Sequence, residues 1–346
     1  MSKKPNLLPE GFPDPDALFD SWYPIIIAIV CGVIYAIRSY LRGPKCQGTA
    51  DLKGKTAIVT GANCGMGRAI ALDMACKGAH VIMACRNLTE GEEALASIKK
   101  ESRNEEVVLM KLNLASFVSI REFVKEIKEK ESRLDLLVNN AGVMMMPFME
   151  TEENFEMQFG VNYLGTFLLT ELLLDLMKTT EGARIINTTA AAYNLGEINY
   201  DDINLVKDYS PGKAYAQSKF ALTLYSVYLA ERLKDLDVNV YIVNPGIVNS
   251  NAHRHMPFRT NSFLSFAFYL PMYFLMKLPE DGAQTAIFCS SAESVAKDTG
   301  KLYKDLAEGK LEDCVCNLEA GEKLYKQSLI WTNTKQQKKI SLETEL

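Results

Sequence analysis

Short β-branched runs alternate with helical stretches from Lys55 onward, and this alternation restricts the fold more than any other feature of the sequence. The runs that predict strands are TAIVT, HVIMA, VVLMKL, LDLLVNN, RIINTT, VNVYIVNP and GKLYK. Because parallel strands need long crossovers, which are usually helices, the pattern predicts an α/β fold with a Rossmann-type doubly wound parallel sheet. One such domain accounts for residues 51–305. The charged residues 306–346 are predicted to be a C-terminal tail, disordered over TNTKQQKKISLETEL.

A second feature is the apolar run from Tyr23 to Ile37, which would be about 22 Å long as a helix. With flanking aromatic residues in the interfaces, the run predicts a membrane anchor helix over residues 22–42. Residues 1–21 are acidic and contain prolines, unlike the start of a cleaved signal peptide, so we expect the helix to be retained. More basic residues follow the run than precede it, which places the main domain in the cytosol. The alternative is an amphipathic helix packed on the domain, although the run is apolar all round.

The composition narrows the classes of partner. The chain of 346 residues is 48% hydrophobic and carries a formal net charge of -5 without a long basic run, which argues against nucleic acid as a partner. The eight cysteines mostly stand alone in apolar or glycine-rich segments and are predicted to be reduced thiols. With only three histidines, no metal site is predicted. The oligomeric state stays open, and a homodimer is one option.

The segment TGANCGMG, from Thr60 to Gly67, follows the first predicted strand and begins a helix. Glycines there permit a tight turn, and the helix N-terminus faces a diphosphate, so the segment predicts a dinucleotide site. After the second strand, where an acidic residue would accept the ribose 2′-OH of NAD, stands Arg86, with Arg68 nearby on the first helix. Because a guanidinium can bind a 2′-phosphate through two hydrogen bonds, NADP(H) is favoured and NAD(H) remains an option. The alternative is that Arg86 is a solvated surface charge.

Tyr215 and Lys219 in YAQSK lie four residues apart at the start of a predicted helix, and therefore on one face. A nearby ammonium is expected to lower the pKa of the phenol. Together with the glycine turn, NNAG, GVNYLG around Asn162 and NPGIVNS, in this order, the motif resembles the short-chain dehydrogenases/reductases over residues 51–305. Within that family, ACRN, NNAGVMM, NYLGTFLLT and EDGAQTAIF are similar to the retinol-dehydrogenase-like branch.

The resemblance implies a role for each matching residue. Tyr215 would exchange a proton with the carbonyl or alcohol oxygen, Lys219 would bind the nicotinamide ribose and tune Tyr215, and Asn162 would hold a proton-relay water. Asn139 would support the adenine pocket. The residues implied in cofactor binding are Gly61, Asn63, Cys64, Gly65, Met66, Gly67, Arg86, Asn113, Leu114, Asn140, Ala141, Gly142, Tyr215, Lys219, Pro245, Gly246 and Val248.

Two positions depart from the family pattern. Asn113 stands where an aspartate usually caps the adenine, which keeps a hydrogen-bonding amide but loses the charge. Ala190 stands where a serine usually donates a hydrogen bond to the reacting oxygen, and loss of such a donor lowers the rate about 10²–10³-fold. Thr188 or Thr189 could take over this role. In a regular strand Thr188 points to the same face as Ala190 but one pleat away, and Thr189 points to the other face.

The segment FLSFAFYLPMYFLMKL, residues 263–278, lies where the resemblance places the substrate lid, and its aromatics and methionines suit a long lipid. Internal packing of the lid explains the same residues equally well. We therefore expect an NADP(H)-dependent oxidoreductase that interconverts a lipophilic alcohol, of retinoid or polyprenoid type, and its aldehyde or ketone at a membrane. The endoplasmic reticulum is the expected location. The alternative, which Ala190 favours, is a catalytically weak NADP(H)-binding sensor or scaffold protein.

Overall fold

The computed structural model describes residues 22–48, 50–249 and 276–333. The chain forms two compact units, Met1–Gly43 and Pro44–Leu346. The described part of the first unit is helix α1, Tyr23–Arg42, which has a proline in its first turn and no buried residue. Its 20 residues are long and apolar enough to cross a membrane. Helix α1 is therefore a candidate membrane span at the place where the sequence predicts one.

The second unit is built on one sheet, and every predicted strand is present in it. The strands are β1 Thr56–Thr60, β2 His80–Cys85, β3 Val107–Lys111, β4 Leu136–Asn139, β5 Ala183–Thr188, β6 Val238–Val243, β7 Lys301–Lys304 and β8 Ala307–Gly309. Their order across the sheet is β3-β2-β1-β4-β5-β6-β7-β8. All neighbours pair in parallel except β7 and β8, which form an antiparallel pair. The Rossmann-type fold is confirmed.

Helices cover both faces of the sheet. They are α2 Gly65–Cys76, α3 Leu88–Ser102, α4 Phe117–Lys130, α5 Met157–Lys178, α6 Pro211–Arg232, α7 Pro279–Ser291 and α8 Leu318–Trp331. Helices α2, α3 and α7 contribute to one apolar core, and α4, α5, α6 and α8 to the core on the opposite face. Helix α5 is apolar enough to span a membrane, but 78% of that stretch is buried, so core packing explains its composition.

The strand order fixes where a ligand can bind. From β1 the chain moves outward through β2 to β3 and then returns to β4 on the other side of β1. The loops that follow β1 and β4 therefore leave the sheet in opposite directions and open a crevice at the carboxyl ends of these strands. The glycine turn follows β1 and NNAG overlaps the end of β4, so both motifs border this crevice.

The domain continues beyond residue 305, where the sequence placed its end. Strand β8 extends the sheet, and α8 packs on the core through Leu324, with Val315 of the preceding segment also fully buried. Asn317 caps α8 by accepting a hydrogen bond from the Ala320 amide at 3.0 Å. Because this region is rich in charged residues, its sequence shows no apolar periodicity from which these few contacts could be predicted. Residues 334–346, and most of the predicted lid at 263–278, lie outside the described residues.

Candidate active site

The glycine turn between β1 and α2 depends on its glycines for shape. Gly61 and Gly65 have φ of 67° and 59°, in the left-handed region that side chains disfavour. A Cβ atom on Gly67 would lie 2.2 Å from the Gly61 carbonyl oxygen. The first turn of α2 therefore sits directly against the backbone that leaves β1, which is possible only without side chains at these positions.

Helix α2 begins without a side-chain cap, unlike the two helices that follow it. Asn87 caps α3 by accepting from the Thr89 amide at 3.1 Å, and Ser116 accepts from the Ser119 amide at 3.4 Å at the start of α4. The N-terminal amides of a helix carry a partial positive charge and favour an anion. The uncapped start of α2, wrapped by the glycine turn, suits a diphosphate.

A cavity of about 410 Å³ lies over this turn at the predicted crevice. Its walls are Thr60, Gly61, Asn63, Cys64, Gly65, Met66, Ala84, Arg86, Asn87, Glu90, Leu112, Asn113, Leu114, Asn140, Ala141, Gly142, Val143, Met144, Met146 and Val161. Most residues implied in cofactor binding are among them. Gly67, Tyr215, Lys219 and the residues after β6 do not line this cavity.

The cavity wall at the end of β4 is held by Thr60. Its hydroxyl oxygen accepts hydrogen bonds from the backbone amides of Asn140 and Ala141, at 3.0 and 2.9 Å. The Asn140 side chain donates to the Thr60 carbonyl at 3.0 Å, while its own Oδ1 is buried without a partner among the described residues. An acceptor left over in the wall, an uncapped helix and a glycine cradle together fit a nicotinamide dinucleotide.

The two arginines of the predicted phosphate site have different positions. Arg86 is exposed and lines the cavity. Arg68 does not line it, because its guanidinium forms an ion pair with Glu101 and donates to Ser97 at 2.6 Å. The expected contribution of Arg68 is therefore wrong for this structure, and Arg86 alone offers a cation to a 2′-phosphate from the described cavity wall.

The two asparagines predicted at the adenine end have different positions. Asn113 lines the cavity, but its Oδ1 accepts from the Ala115 amide at 3.1 Å and so closes a local turn. Asn139 does not line the cavity. Its side chain is buried and donates to Thr170 and Asn187, at 3.1 and 2.8 Å. Asn139 thus ties β4 to β5 and α5, and it supports the site only from within the core.

Tyr215 and Lys219 project from the first half of α6 toward the end of β5. The Lys219 ammonium donates to the Thr188 carbonyl at 2.9 Å and lies 5.9 Å from the centre of the Tyr215 ring. Serine and proline begin α6 just ahead of them, with Pro211 in its first turn. One helical turn separates the two side chains, so they share a face as predicted.

Asn162 lies in a π-helical segment of α5, Gly160–Gly165, a departure from regular geometry that is frequent at functional sites. Its side chain accepts from the Val143 amide at 2.8 Å and donates to the Val143 carbonyl and the Ser218 hydroxyl, both at 2.9 Å. A Cβ on Gly142 would lie 3.1 Å from Asn162 Oδ1 and 3.7 Å from Lys219 Nζ. Gly142 in the cavity wall thus marks where these groups converge.

Burial shifts the pKa values of Tyr215 and Lys219, the pair implied in catalysis. It lowers the pKa of Lys219 to about 8 and raises the pKa of Tyr215 above its ordinary value. The lower phenol pKa expected from the neighbouring ammonium is therefore wrong for this state of the protein, because desolvation disfavours the phenolate more. At neutral pH Tyr215 is a phenol with a proton to donate.

Ala190 follows β5 in an extended conformation, with φ −153° and ψ 156°. The Thr189 hydroxyl lies 2.7 Å from the Thr223 hydroxyl, which itself donates to the Lys219 carbonyl at 2.8 Å. Since Thr223 has only one proton, Thr189 must be the donor in that pair and has none left for a substrate. Thr188 Oγ1 is buried and makes no hydrogen bond to a described residue. Of the two threonines, only Thr188 keeps an uncommitted proton.

The residues after β6 form a turn of their own. Gly246 has φ 79°, and its amide donates to Asn244 Oδ1 at 3.0 Å. Val248 is buried where a Cβ on Gly282 would lie 2.5 Å from it and 3.0 Å from the Met66 sulfur. The turn after Pro245 therefore packs beside the start of α2, next to the glycine turn.

Sequence reasoning missed several residues that shape the site. Thr60 holds the cavity wall, and Ser218 holds Asn162, although both residues occur inside the quoted motifs. Glu90 lines the cavity and accepts from the Asn63 side chain at 2.7 Å. Its position in the first turn of a helix resembles an ordinary helix-stabilising acid, so no sequence signal separates the two roles.

Comparisons with known proteins agree with this geometry. The family described as short chain dehydrogenase matches residues 55–257. Retinol dehydrogenase 13 from Homo sapiens is 41% identical over 283 residues, which are 82% of this chain and 86% of that protein. The crystal structure of an uncharacterised protein from Mycobacterium paratuberculosis is similar with a TM-score of 0.67 and 26% identity, over 84% of this chain and 98% of the other.

A short chain dehydrogenase from Shigella flexneri, crystallised in complex with NADP, has the same fold. Its TM-score is 0.59 at 22% identity, over 75% of this chain and all of the other. The family match covers more than half of the chain, and the similarity to retinol dehydrogenase 13 covers most of both proteins. The chain therefore belongs to the short-chain dehydrogenase family, in its retinol-dehydrogenase-like branch, and is an NAD(P)-dependent oxidoreductase that acts on CH–OH groups.

Proposed function

We propose that the protein uses NADP(H) to interconvert a lipophilic alcohol, of retinoid or polyprenoid type, and its carbonyl compound at a membrane. The observation that carries the proposal is the arrangement of one continuous site. Arg86 and Gly142 both line the cavity, and a Cβ built on Gly142 would lie 3.7 Å from the Lys219 ammonium nitrogen. A dinucleotide that spans this length would bring its 2′-phosphate to Arg86 and its nicotinamide to the catalytic pair.

Arg86 supports the choice of NADP(H). It forms no ion pair with a described residue, and it is the one cation among the described residues of the cavity wall. A guanidinium pairs with a phosphate through two charge-assisted hydrogen bonds, whereas a ribose hydroxyl offers it much less. The neighbour from Shigella flexneri, whose crystals contain NADP, is consistent with this choice.

The chemistry proceeds through Tyr215. NADP(H), when bound, would supply the hydride chemistry, and the Tyr215 phenol would donate its proton to the carbonyl oxygen. The Lys219 ammonium, fixed by the Thr188 carbonyl, stabilises the phenolate that forms. Asn162 is fixed by Val143 and Ser218, so it can hold a relay water that returns a proton to this pair. Burial raises the pKa of Tyr215, so the phenol keeps its proton at neutral pH, as a donor to a carbonyl oxygen requires.

The substrate side of the site is apolar. Val143, Met144 and Met146, from the loop after β4, line the cavity beside Gly142, and Phe148 and Met149 of the same loop are 43% and 45% exposed. Flexible methionines beside an aromatic suit a long apolar chain. The relative named retinol dehydrogenase 13 and the apolar helix α1 support a lipid substrate taken from a membrane.

The decisive experiment is single-turnover oxidation of NADPH by the purified full-length protein with a panel of retinoid, polyprenoid and steroid carbonyls. We expect turnover with at least one long-chain retinoid or polyprenoid aldehyde. A protein that binds NADPH but oxidises it with none of these carbonyls would refute the proposed substrate class.

Membrane attachment is tested separately by deleting residues 1–45. Because α1 is the only exposed helix of the described chain that is long and apolar enough to span, the deleted form should become extractable by carbonate. Retention of the deleted form in the membrane fraction would move the anchor to the predicted lid at 263–278. The full-length protein in the same extraction is the control.

A further inference from the structure

Among the described residues of the cofactor-cavity wall, one is acidic and one is basic. The base is Arg86 and the acid is Glu90. Both are exposed, and they belong to the same short stretch, four residues apart, at the end of β2 and the start of α3. The part of the cavity that would hold a 2′-phosphate therefore has no net charge, although a phosphate site is usually positive.

Glu90 is the third residue of α3, where acidic residues commonly stabilise the helix. In a capping box its side chain would return to the backbone amide of the N-cap, Asn87. Instead, Glu90 Oε2 accepts from the Asn63 side-chain amide at 2.7 Å. The carboxylate thus reaches across the cavity mouth, from α3 to the glycine turn, and its position is not explained by helix capping.

Asn63 belongs to the turn that cradles the cofactor, and its amide is a hydrogen-bond donor at the edge of the cavity. Such a donor can bind a ribose hydroxyl or a phosphate oxygen equally well. In the structure it binds a carboxylate, which is an anion of similar hydrogen-bonding character. A 2′-phosphate that used the Asn63 amide would have to displace Glu90 and remain near its negative charge.

We propose that Glu90 is a specificity-determining residue that opposes Arg86 and lowers the preference for NADP(H) over NAD(H). This inference rests on the proposed use of NADP(H), because it concerns the same phosphate position. A ribose 2′-OH can donate a hydrogen bond to the Glu90 carboxylate, so NAD(H) leaves the hydrogen bond between Asn63 and Glu90 intact. A 2′-phosphate offers only acceptors and a like charge, so Glu90 repels it.

The test is the calorimetric affinity of the full-length protein, without substrate, for NADPH and NADH. Glu90→Gln keeps the size of the side chain and an acceptor for Asn63 but removes the charge. We expect it to raise the ratio of the NADH to the NADPH dissociation constant about fivefold, mainly through tighter NADPH binding, which is the size expected for one exposed charge near another. Adenosine 2′,5′-bisphosphate and 5′-AMP, which differ only in the 2′-phosphate, should show the same change.

Glu92→Gln is the matched control, since Glu92 lies on the same helix, is exposed and does not line the cavity. It should change the ratio less than twofold. If Glu90→Gln leaves the ratio unchanged, or if Glu92→Gln changes it equally, the inference is wrong. If the unmodified protein prefers NADH and Glu90→Gln still shifts the ratio toward NADPH, the inference stands and the proposed use of NADP(H) fails.

A second variant tests whether the hydrogen bond from Asn63 holds the Glu90 carboxylate in place. In an Asn63→Ala background the carboxylate has lost its hydrogen-bond partner and is free to turn toward solvent. Glu90→Gln should then change the ratio less than it does in the unmodified protein, by the logic of a double-mutant cycle. Equal effects in both backgrounds would show that the Asn63 contact does not hold the carboxylate in place, and would overturn that step.

Discussion

The cofactor end of the site consists of backbone turns around an open cavity, whereas the chemistry end consists of buried side chains that hydrogen-bond to one another. At the cofactor end Gly61, Gly65 and Gly67 leave room for a ligand, and the charged groups Arg86 and Glu90 are exposed. At the chemistry end the side chains of Lys219, Asn162 and Thr189 already make hydrogen bonds within the protein. Lys219, for example, is only 5% exposed, and its ammonium donates a hydrogen bond to the Thr188 carbonyl.

Because of this difference, the choice of cofactor and the chemical step should respond differently to mutation. Exposed charges are screened by solvent, so the choice of cofactor should respond to single charges by modest factors. Buried groups have strongly shifted pKa values and no alternative partners, so the chemical step should respond by orders of magnitude. The two ends should therefore be separable by mutation, with binding lost at one and turnover lost at the other.

The largest effect should come from Tyr215→Phe. It removes the proton that Tyr215 donates to the carbonyl oxygen in the proposed mechanism, so turnover should fall about 10²–10⁴-fold. The affinity for NADPH should change little, because the phenol is not part of the glycine turn. Stopped-flow NADPH oxidation and calorimetry together measure both. A variant that also loses most of its NADPH affinity would show that the two ends are not separable.

Ala190→Ser should raise turnover by tens of fold, up to a limit of about 10²–10³ for one hydrogen-bond donor. The reason is that the Thr189 proton is committed to Thr223, and the uncommitted hydroxyl of Thr188 lies two residues before Ala190. Single-turnover rates with the best carbonyl substrate measure the gain. If Ala190→Ser gives no gain and Thr188→Val loses activity instead, then Thr188 already fills the role of the missing serine.

Arg86→Asp should reverse the cofactor preference at the open end. Loss of a bidentate charge-assisted contact, worth about 1.5–3 kcal/mol, corresponds to about 10–100-fold weaker NADPH binding. The new carboxylate can accept the 2′-OH of NADH. Turnover at saturating cofactor should change little, which separates this variant from Tyr215→Phe. An unmodified protein that binds NADH as tightly as NADPH would already contradict the role of Arg86.

The smallest effect concerns pH. Burial places the pKa of Lys219 at about 8, below its ordinary value, so the ammonium is present below pH 8 and is lost above it. The rate of carbonyl reduction should therefore be level below pH 8 and fall up to about tenfold per pH unit above it, since the charge that stabilises the phenolate disappears. Lys219→Arg, which stays charged, should be slower but flat over the same range. A reduction rate that stays constant up to pH 10 would show that the charge of Lys219 is not needed for the reaction.

The sequence predicts the glycine turn and its place at the crevice, because these depend on local chemistry. TGANCGMG needs only its glycines and the following helix to form a cradle, and Arg86 follows β2 directly, so position along the chain determines position in space. The strands and their parallel pairing follow in the same way from β-branched runs separated by helices. Tyr215 and Lys219 also needed only helical spacing to share a face.

Other features depend on contacts between distant segments, and only the tertiary structure decided them. Arg68 is adjacent to the glycine turn in sequence, yet Glu101 at the end of α3 draws it away from the cavity. The raised pKa of Tyr215 depends on burial, which spacing along a helix does not reveal. The Thr189 proton is committed because Thr223 on α6 lies within 2.7 Å. Hydrogen bonds and desolvation act through space, and a one-dimensional pattern contains no distances across the fold.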